Sequence, residues 1–381
     1  MSGNFDRRGG NLIGAGILDF AVQASEDSHM QLGYHRGDGL PMVSGQQAAG
    51  MVADDILNGE VRAMIVEASN PVLACSNPGG RLERALGELD LLVAIDLFRN
   101  ETGNLAHYIL PATTWMERAG MPYALQSFAG CTPTPYLYAA GPVLEPPPGV
   151  REEWWIYTRL ADKLGVTLMG NPLASAALKL AARWAHGPLG RWIKVPEMLI
   201  SGMLRQAGQP SLKQMQREYP HGLRLPDNPG DNFLGTDRVL TEDGLVDLAP
   251  AAFVAAFNAD TERLYEDEIA NLDRIKLVGK REIKRMNSSS SNSPRLVKEL
   301  TNYAYLSPSD AGRIGVEDGD QVAVKSAFGE IRIPVRVTDE MMPRTVAIPQ
   351  CWGHERADGL PHAQQHPGVN SNLLAGDGLQ N

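Results

Sequence analysis

Apolar positions along the first third of the chain recur with two alternating periods. Met51–Leu57 reads as a helix and Val61–Val66 as a buried strand. Arg81–Leu89 follows with Leu82, Ala85, Leu86 and Leu89 at helical spacing. Leu91–Ile95 is a second apolar strand and Tyr108–Leu110 a shorter third. Strand, helix and strand in turn predict a parallel, Rossmann-like α/β sheet. Arg151–Leu164 is helical again, with Trp154, Trp155, Leu160 and Leu164 as its expected core face. From Met169 to about Asp273 the pattern blurs, mixing helical runs such as Ala176–Ala185 with Pro/Gly-rich connectors such as Pro226–Gly235.

The composition changes at Asn287–Ser293, a serine-rich run that by itself reads as a flexible linker. Beyond it the period becomes two. Gln321–Lys325, Glu330–Val337 and Thr345–Ile348 are strand-like, with turn signals at Asp318-Gly319-Asp320 and Phe328-Gly329. Short strands with glycine turns predict a small β-barrel. The expected organisation is thus an irregular, Gly-rich segment over 1–50, an α/β domain over 51–274 and a barrel domain over 275–381.

The balance of charge narrows the function classes. The 381 residues carry a formal net charge of −10. That argues against nucleic acid or an anionic membrane as main partner. No run of about 18 apolar residues suggests a membrane span. Cys75, Cys131 and Cys351 are scattered, which fits reduced thiols and a cytoplasmic protein. The same spacing excludes a self-contained four-cysteine iron–sulfur or zinc site. Arg7-Arg8 before Leu12–Ala24 faintly suggests a twin-arginine leader, but Asp19 and Gly9-Gly10-Asn11 interrupt the apolar run.

Ligands of open parallel sheets bind beyond the carboxyl ends of the strands. Asn70 follows the first strand, Asp96 closes the second, and Glu117 and Arg118 lie just past the third. A carboxylate there can accept two hydrogen bonds from a guanine edge or from ribose hydroxyls, and Arg118 can meet a phosphate. The alternative, that Asn70 and Asp96 are loop and cap residues, stays open on spacing alone. No phosphate-cradling G-x-x-x-x-G-K-[ST] is present, Gly14-Ala15-Gly16 lacks the third glycine, and there is no Gly-x-Ser-x-Gly elbow. His354, His362 and His366 are either a metal cluster or hydrogen-bonded loop histidines.

Glu67–Gly120 resembles the third domain of the molybdopterin oxidoreductases. The most specific stretch runs from Asp96 through Glu101-Thr102 and Leu110-Pro111-Ala112 to Trp115-x-Glu117. Tyr305–His354 and Gly368–Asp377 resemble the dinucleotide-binding barrel of the same family. The resemblance implies a molybdopterin guanine dinucleotide cofactor chelating molybdenum or tungsten. By position it implies that Asn70, Asp96 and Arg118 line one nucleotide site and that Glu153 faces a guanine. It also implies that Lys280, Arg281, Arg285, Asn287 and Ser288 lie on a loop wrapping a pterin and its phosphates, which replaces the linker reading. The family's aromatic residue near Ser289 is missing here. Asn372 falls on a pterin-contacting asparagine.

The family's iron–sulfur domain and the residue that ligates its metal have no counterpart in these 381 residues. A separately encoded N-terminal half is therefore an expected partner, and the chain alone is expected to be inactive. Three readings remain. The first is a fragment or subunit of an oxidoreductase performing two-electron redox or oxygen-atom transfer. The second is a non-catalytic cofactor-binding or assembly protein, and the third an unrelated α/β enzyme with a barrel appended. Formate, nitrate and polysulfide all remain open as substrates. Asp96 and Glu153 are expected at the mouth of one crevice.

Overall fold

The computed structural model describes residues 3–13, 34–35, 41–42, 47–122, 133–188, 190–236, 239 and 241–377. Gly14-Ala15-Gly16, Asp19 and Cys131 lie outside the described residues. The chain divides into two compact units, one of residues 1–46 with 112–248 and the other of 47–111 with 249–381. Packing thus groups the α/β segment with the C-terminal segment. The expected boundaries at 50 and 274 follow the sequence order instead.

In the second unit, β1 (Ala63–Glu67), β2 (Leu91–Asp96) and β3 (Tyr108–Pro111) form a parallel sheet in that order. Helix α1 (Val52–Leu57) precedes β1, and α2 (Pro71–Ala74) and α3 (Arg81–Gly87) join β1 to β2. α4 (Glu101–Leu105) joins β2 to β3. The stripe Leu82, Ala85 and Leu86 of α3 packs with Ile56, Val66, Val72 and Leu92 in one apolar cluster, as its helical spacing predicts. Asn77 Oδ1 accepts the otherwise orphaned N–H groups of Leu82 (2.9 Å) and Glu83 (3.3 Å), which fixes the start of α3.

The C-terminal part of the unit begins with α5 (Ala251–Ala270), whose described side chains are all exposed. Five strands follow: β4 (Lys276–Lys280), β5 (Ala304–Leu306), β6 (Gln321–Lys325), β7 (Glu330–Val337) and β8 (Thr345–Pro349). Their order is β6-β7-β5-β8-β4, with parallel and antiparallel pairs mixed. Ile331, Ile333 and Val335 alternate inward and pack with Leu306, Val346, Ile348 and Leu374. The sequence led us to expect a barrel. Among the described residues the strands form a mixed sheet in which no pairing joins the edge strands β4 and β6. An apolar cavity of about 440 Å³ touches both edges, lined by Leu277, Leu306, Val322 and Val324 among others.

The two segments of this unit are stitched by polar links. Arg81 bridges Asp54 (2.6 Å) and Asp377 (2.8 Å). Arg356 pairs with Glu83, and Gly359 N–H donates to Arg99 O at 2.8 Å.

The first unit is mainly helical: Glu153–Leu164, Pro172–Trp184, Val195–Gln206 and Leu212–Glu218 surround a two-strand ladder of Tyr136–Leu137 with Leu223–Arg224. Leu137, Leu204, Leu212 and Met215 form its core. The expected core face of Glu153–Leu164 is corrected here. Leu160 is 39% and Leu164 67% exposed, because the helix buries the face of Ile156 and Ala161 instead. Among the described residues, no helix is long and apolar enough to cross a membrane.

Candidate functional site

Two strand-end segments and parts of the C-terminal segment of the second unit meet at a cavity of about 170 Å³. Ala68, Ser69 and Asn70 come from the end of β1, and Asp96, Leu97, Phe98 and Asn100 from the end of β2. The C-terminal segment adds Ser288, Ser289, His354 and Leu360. The cavity therefore sits where an open parallel sheet takes its ligands. It is smaller than the roughly 300–1,000 Å³ of a whole small-molecule site, so it suits one ring of a ligand rather than all of a dinucleotide. Ala68 turns the chain there with φ +46°, in the left-handed region that alanine seldom enters and that is common at functional sites.

Asp96 is held by local donors. Its Oδ1 accepts the N–H groups of Leu97 (2.6 Å) and Phe98 (3.2 Å), and its Oδ2 accepts Asn100 Nδ2 at 3.1 Å. Burial pushes its carboxyl above the usual aspartate range, more than these three hydrogen bonds pull it down. Asn100 also caps α4, its Oδ1 accepting Gly103 N–H at 2.9 Å.

Behind Asp96 runs a buried relay. Thr102 donates to Asn70 Oδ1 from its backbone N–H (3.3 Å) and its hydroxyl (2.9 Å). Asn70 Nδ2 in turn donates to Glu101 Oε2 at 2.7 Å. The other carboxylate oxygen of Glu101 lies 3.2 Å from His354 Nδ1. His354 is 0% exposed, and its Nε2 has no hydrogen-bond partner. Gly353, with φ +114°, makes this placement feasible, because a Cβ there would meet the Cβ of Asn370 at 2.7 Å.

The remaining expected residues are placed as follows. Lys280 lies with its ammonium 3.8 Å from the centre of the Tyr305 ring. Arg281 donates to Asn287, whose φ of +49° marks the turn. Arg285 is sandwiched: its guanidinium stacks 3.4 Å from the centre of the Trp352 ring, pairs with Glu282 (3.0 Å) and donates to Ser291 (3.1 Å). Burial lowers the pKa of Arg285. Asn372 donates to the carbonyl of Leu73 and braces α2. In the first unit, Arg118 and Glu153 pair with each other. Asp96 and Glu153 thus belong to different compact units.

Of the three clustered histidines, His362 and His366 each bond a backbone carbonyl, Val297 O at 2.9 Å and Glu299 O at 2.8 Å. Among the described residues no group of three or more His, Cys, Asp or Glu is placed to hold a metal ion. The residues missed by spacing are Asn100, Glu101 and Thr102, while His354 was singled out only together with His362 and His366. Glu101-Thr102 carried a signal, as part of the most specific family stretch.

A parallel sheet with a cavity at its carboxyl edge that carries a few polar groups, packed with a mixed β-sheet, is the frame of a nucleotide-cofactor-binding protein. Residues 8–163 match the family described as molybdopterin oxidoreductase, and residues 275–380 match the molydopterin dinucleotide binding domain. The chain belongs to the molybdopterin oxidoreductases, a family of enzymes.

It is 26% identical over 294 residues to the F420-dependent formate dehydrogenase subunit alpha of Methanocaldococcus jannaschii, covering 76% of this chain and 38% of that protein. It is 24% identical over 310 residues to the nitrate reductase of Klebsiella oxytoca, covering 78% of this chain and 32% of that one. The fold is similar to that of acetylene hydratase from Pelobacter acetylenicus, with a TM-score of 0.59 at 20% identity over 87% of this chain and 44% of that one. The chain therefore spans well under half the length of these relatives.

Proposed function

We propose that this chain is part of a molybdopterin-dependent oxidoreductase and binds the guanine end of a molybdopterin guanine dinucleotide. The observation behind this reading is the convergence of Asp96, Asn70 and Ser288, three positions implied by the resemblance, on one cavity. The residues fit such a group. The cavity is lined by a carboxylate acceptor, a histidine and serine hydroxyls, and among the described residues its lining carries neither Lys nor Arg. That chemistry suits a ligand edge rich in N–H or O–H donors, such as guanine, better than a phosphate. Lys280 at the end of β4 and Arg281 just after it supply positive charge for the phosphates.

When bound, the cofactor supplies two-electron or oxygen-atom chemistry at molybdenum or tungsten. This chain supplies binding and orientation. Asp96 accepts the guanine donors, Asn100 holds Asp96, and the Asn287–Ser293 turns wall the ligand. Glu153 and Arg118 are assigned to the same cofactor system by position alone, and Arg285 and Asn372 serve it as braces. The ligand to the metal, and any iron–sulfur cluster, come from sequence outside these 381 residues, on the same chain or a separately encoded one. By itself the chain turns nothing over. The scattered cysteines, with Cys75 and Cys351 free, support a cytoplasmic setting. Formate, nitrate and acetylene, from the names of relatives of near-equal identity, are not separated by this reading.

Mass analysis of cofactor extracted from the purified chain tests this, with titration of GDP as a soluble stand-in for the guanine end. Asp96→Asn is expected to weaken GDP binding about ten- to a hundredfold, the loss of a charge-assisted hydrogen bond worth roughly 1.5–3 kcal/mol. An extracted guanine dinucleotide would support the proposal, and failure of the chain to bind GDP would overturn it.

A further inference from the structure

We infer that His354 is a ligand-contacting residue of the Asp96 cavity, its Nε2 accepting a hydrogen bond from an N–H or O–H of the bound nucleotide. Glu101 and Asn70 act through it as positioning residues. The inference rests on the nucleotide reading above and adds to it a second acceptor and the way that acceptor is oriented.

The direction of every hydrogen bond in the relay follows from one fixed donor. The backbone N–H of Thr102 can only donate, so the atom of Asn70 that faces it is the oxygen. The amide nitrogen of Asn70 therefore faces Glu101, whose Oε2 must accept. A carboxylate accepting there accepts at its other oxygen too, so His354 donates Nδ1–H to Oε1. In the neutral ring this tautomer leaves a lone pair on Nε2, where the structure shows no partner.

A buried polar atom without a partner is costly, and it persists where something else supplies the partner. His362 and His366 make the contrast: both are only half-buried, and each ring bonds a backbone carbonyl. His354 is fully buried and belongs to the cavity wall, and its Nε2 has no partner in the protein. Contact with Nε2 needs a small outward shift of the rim, where Ser288 and Ser289 lie in a run of turns.

The relay also reassigns Asn70. By position it belongs to the nucleotide site, yet its amide is bonded at both ends inside the protein. The end of the relay left unpaired is His354 Nε2. Asp96 and His354 then form two acceptors on one cavity, a pattern that favours guanine, with adjacent ring and exocyclic N–H groups, over a base edge that alternates donor and acceptor.

Side-chain shape makes this testable on the full chain with GDP. Asn places an amide where Nδ1 stood, so His354→Asn keeps the bond to Glu101 and removes the ligand contact. Gln places an amide oxygen where Nε2 stood, so His354→Gln restores it. We expect His354→Asn to weaken GDP binding about tenfold at an unchanged melting temperature, and His354→Gln to recover most of the loss. In chain labelled with 15N-histidine, the Nε2 resonance of His354 should shift when GDP is added, and Glu101→Gln should abolish the Nδ1–H tautomer. Undiminished GDP binding by His354→Asn, or an Nε2 resonance indifferent to GDP, overturns the inference and leaves the nucleotide reading standing. Absence of GDP binding in the unaltered chain overturns both.

Discussion

Asp96 is asked to do two things that conflict. As an acceptor it must be charged, yet burial raises its pKa, so the folded chain holds the proton more tightly than the unfolded one. A carboxyl with a folded pKa above its unfolded value favours folding below the unfolded pKa, about 3.9. That contribution is lost as pH rises through the folded value. Wild-type chain should therefore lose melting temperature relative to Asp96→Asn as pH rises from about 4 to 7. GDP binding should strengthen over the same span. A melting difference independent of pH would count against it. Asp96 was legible in the sequence because a strand-ending acid on a parallel sheet has few places to point. Asn70 was legible by place but not by role, since nothing in its neighbourhood names Glu101 and Thr102 as its partners. His354 was the least legible, for its partner Glu101 is 253 positions away.

Among elements, α4 couples folding to the cavity through its cap. Asn100 accepts Gly103 N–H with one side-chain atom and donates to Asp96 with the other. Asn100→Ala should cost about 1 kcal/mol of stability, read by urea denaturation. It should also weaken GDP binding, which loss of a cap remote from the cavity would not do. Elements with a buried face showed in the pattern: β6 and β7 fall on Gln321–Lys325 and Glu330–Val337, the spans read from alternation. Those without one did not. α5 has no buried stripe to generate a period, β4 is exposed along nearly its whole length, and β5 is only Ala304–Leu306. Amides of α5 should accordingly exchange with deuterium faster than those of β2, since helices rely on a packed face for most of their stability.

At the scale of the molecule, the grouping of 47–111 with 249–381 depends on links that no local pattern carries. Arg81 reaches Asp377 across 296 positions while holding Asp54 near its own helix. With its side chain 30% exposed, it is sheltered enough to matter. Arg81→Met should lower the stability of this unit by roughly 1–3 kcal/mol, measured by circular dichroism in denaturant, because two carboxylates lose one shared partner. High salt should narrow the gap between variant and wild type, screening the exposed part of the network. The borders expected from the sequence, at 50 and 274, follow chain order. Packing followed these paired charges and the Gly359–Arg99 backbone bond, which sequence order hides.

The Arg285–Trp352 sandwich gives the protein an optical label of its own. Trp352 is 1% exposed, while Trp115 and Trp192 are 77% and 72% exposed. Iodide in solution reaches the latter two and not the former. Emission that survives the quencher comes from Trp352 together with the half-buried Trp154 and Trp155, and Trp352 lies under a guanidinium two residues before His354 in the chain. Its colour and yield respond to the field of that nearby cation, so light can follow events at the cavity wall without any dye being attached.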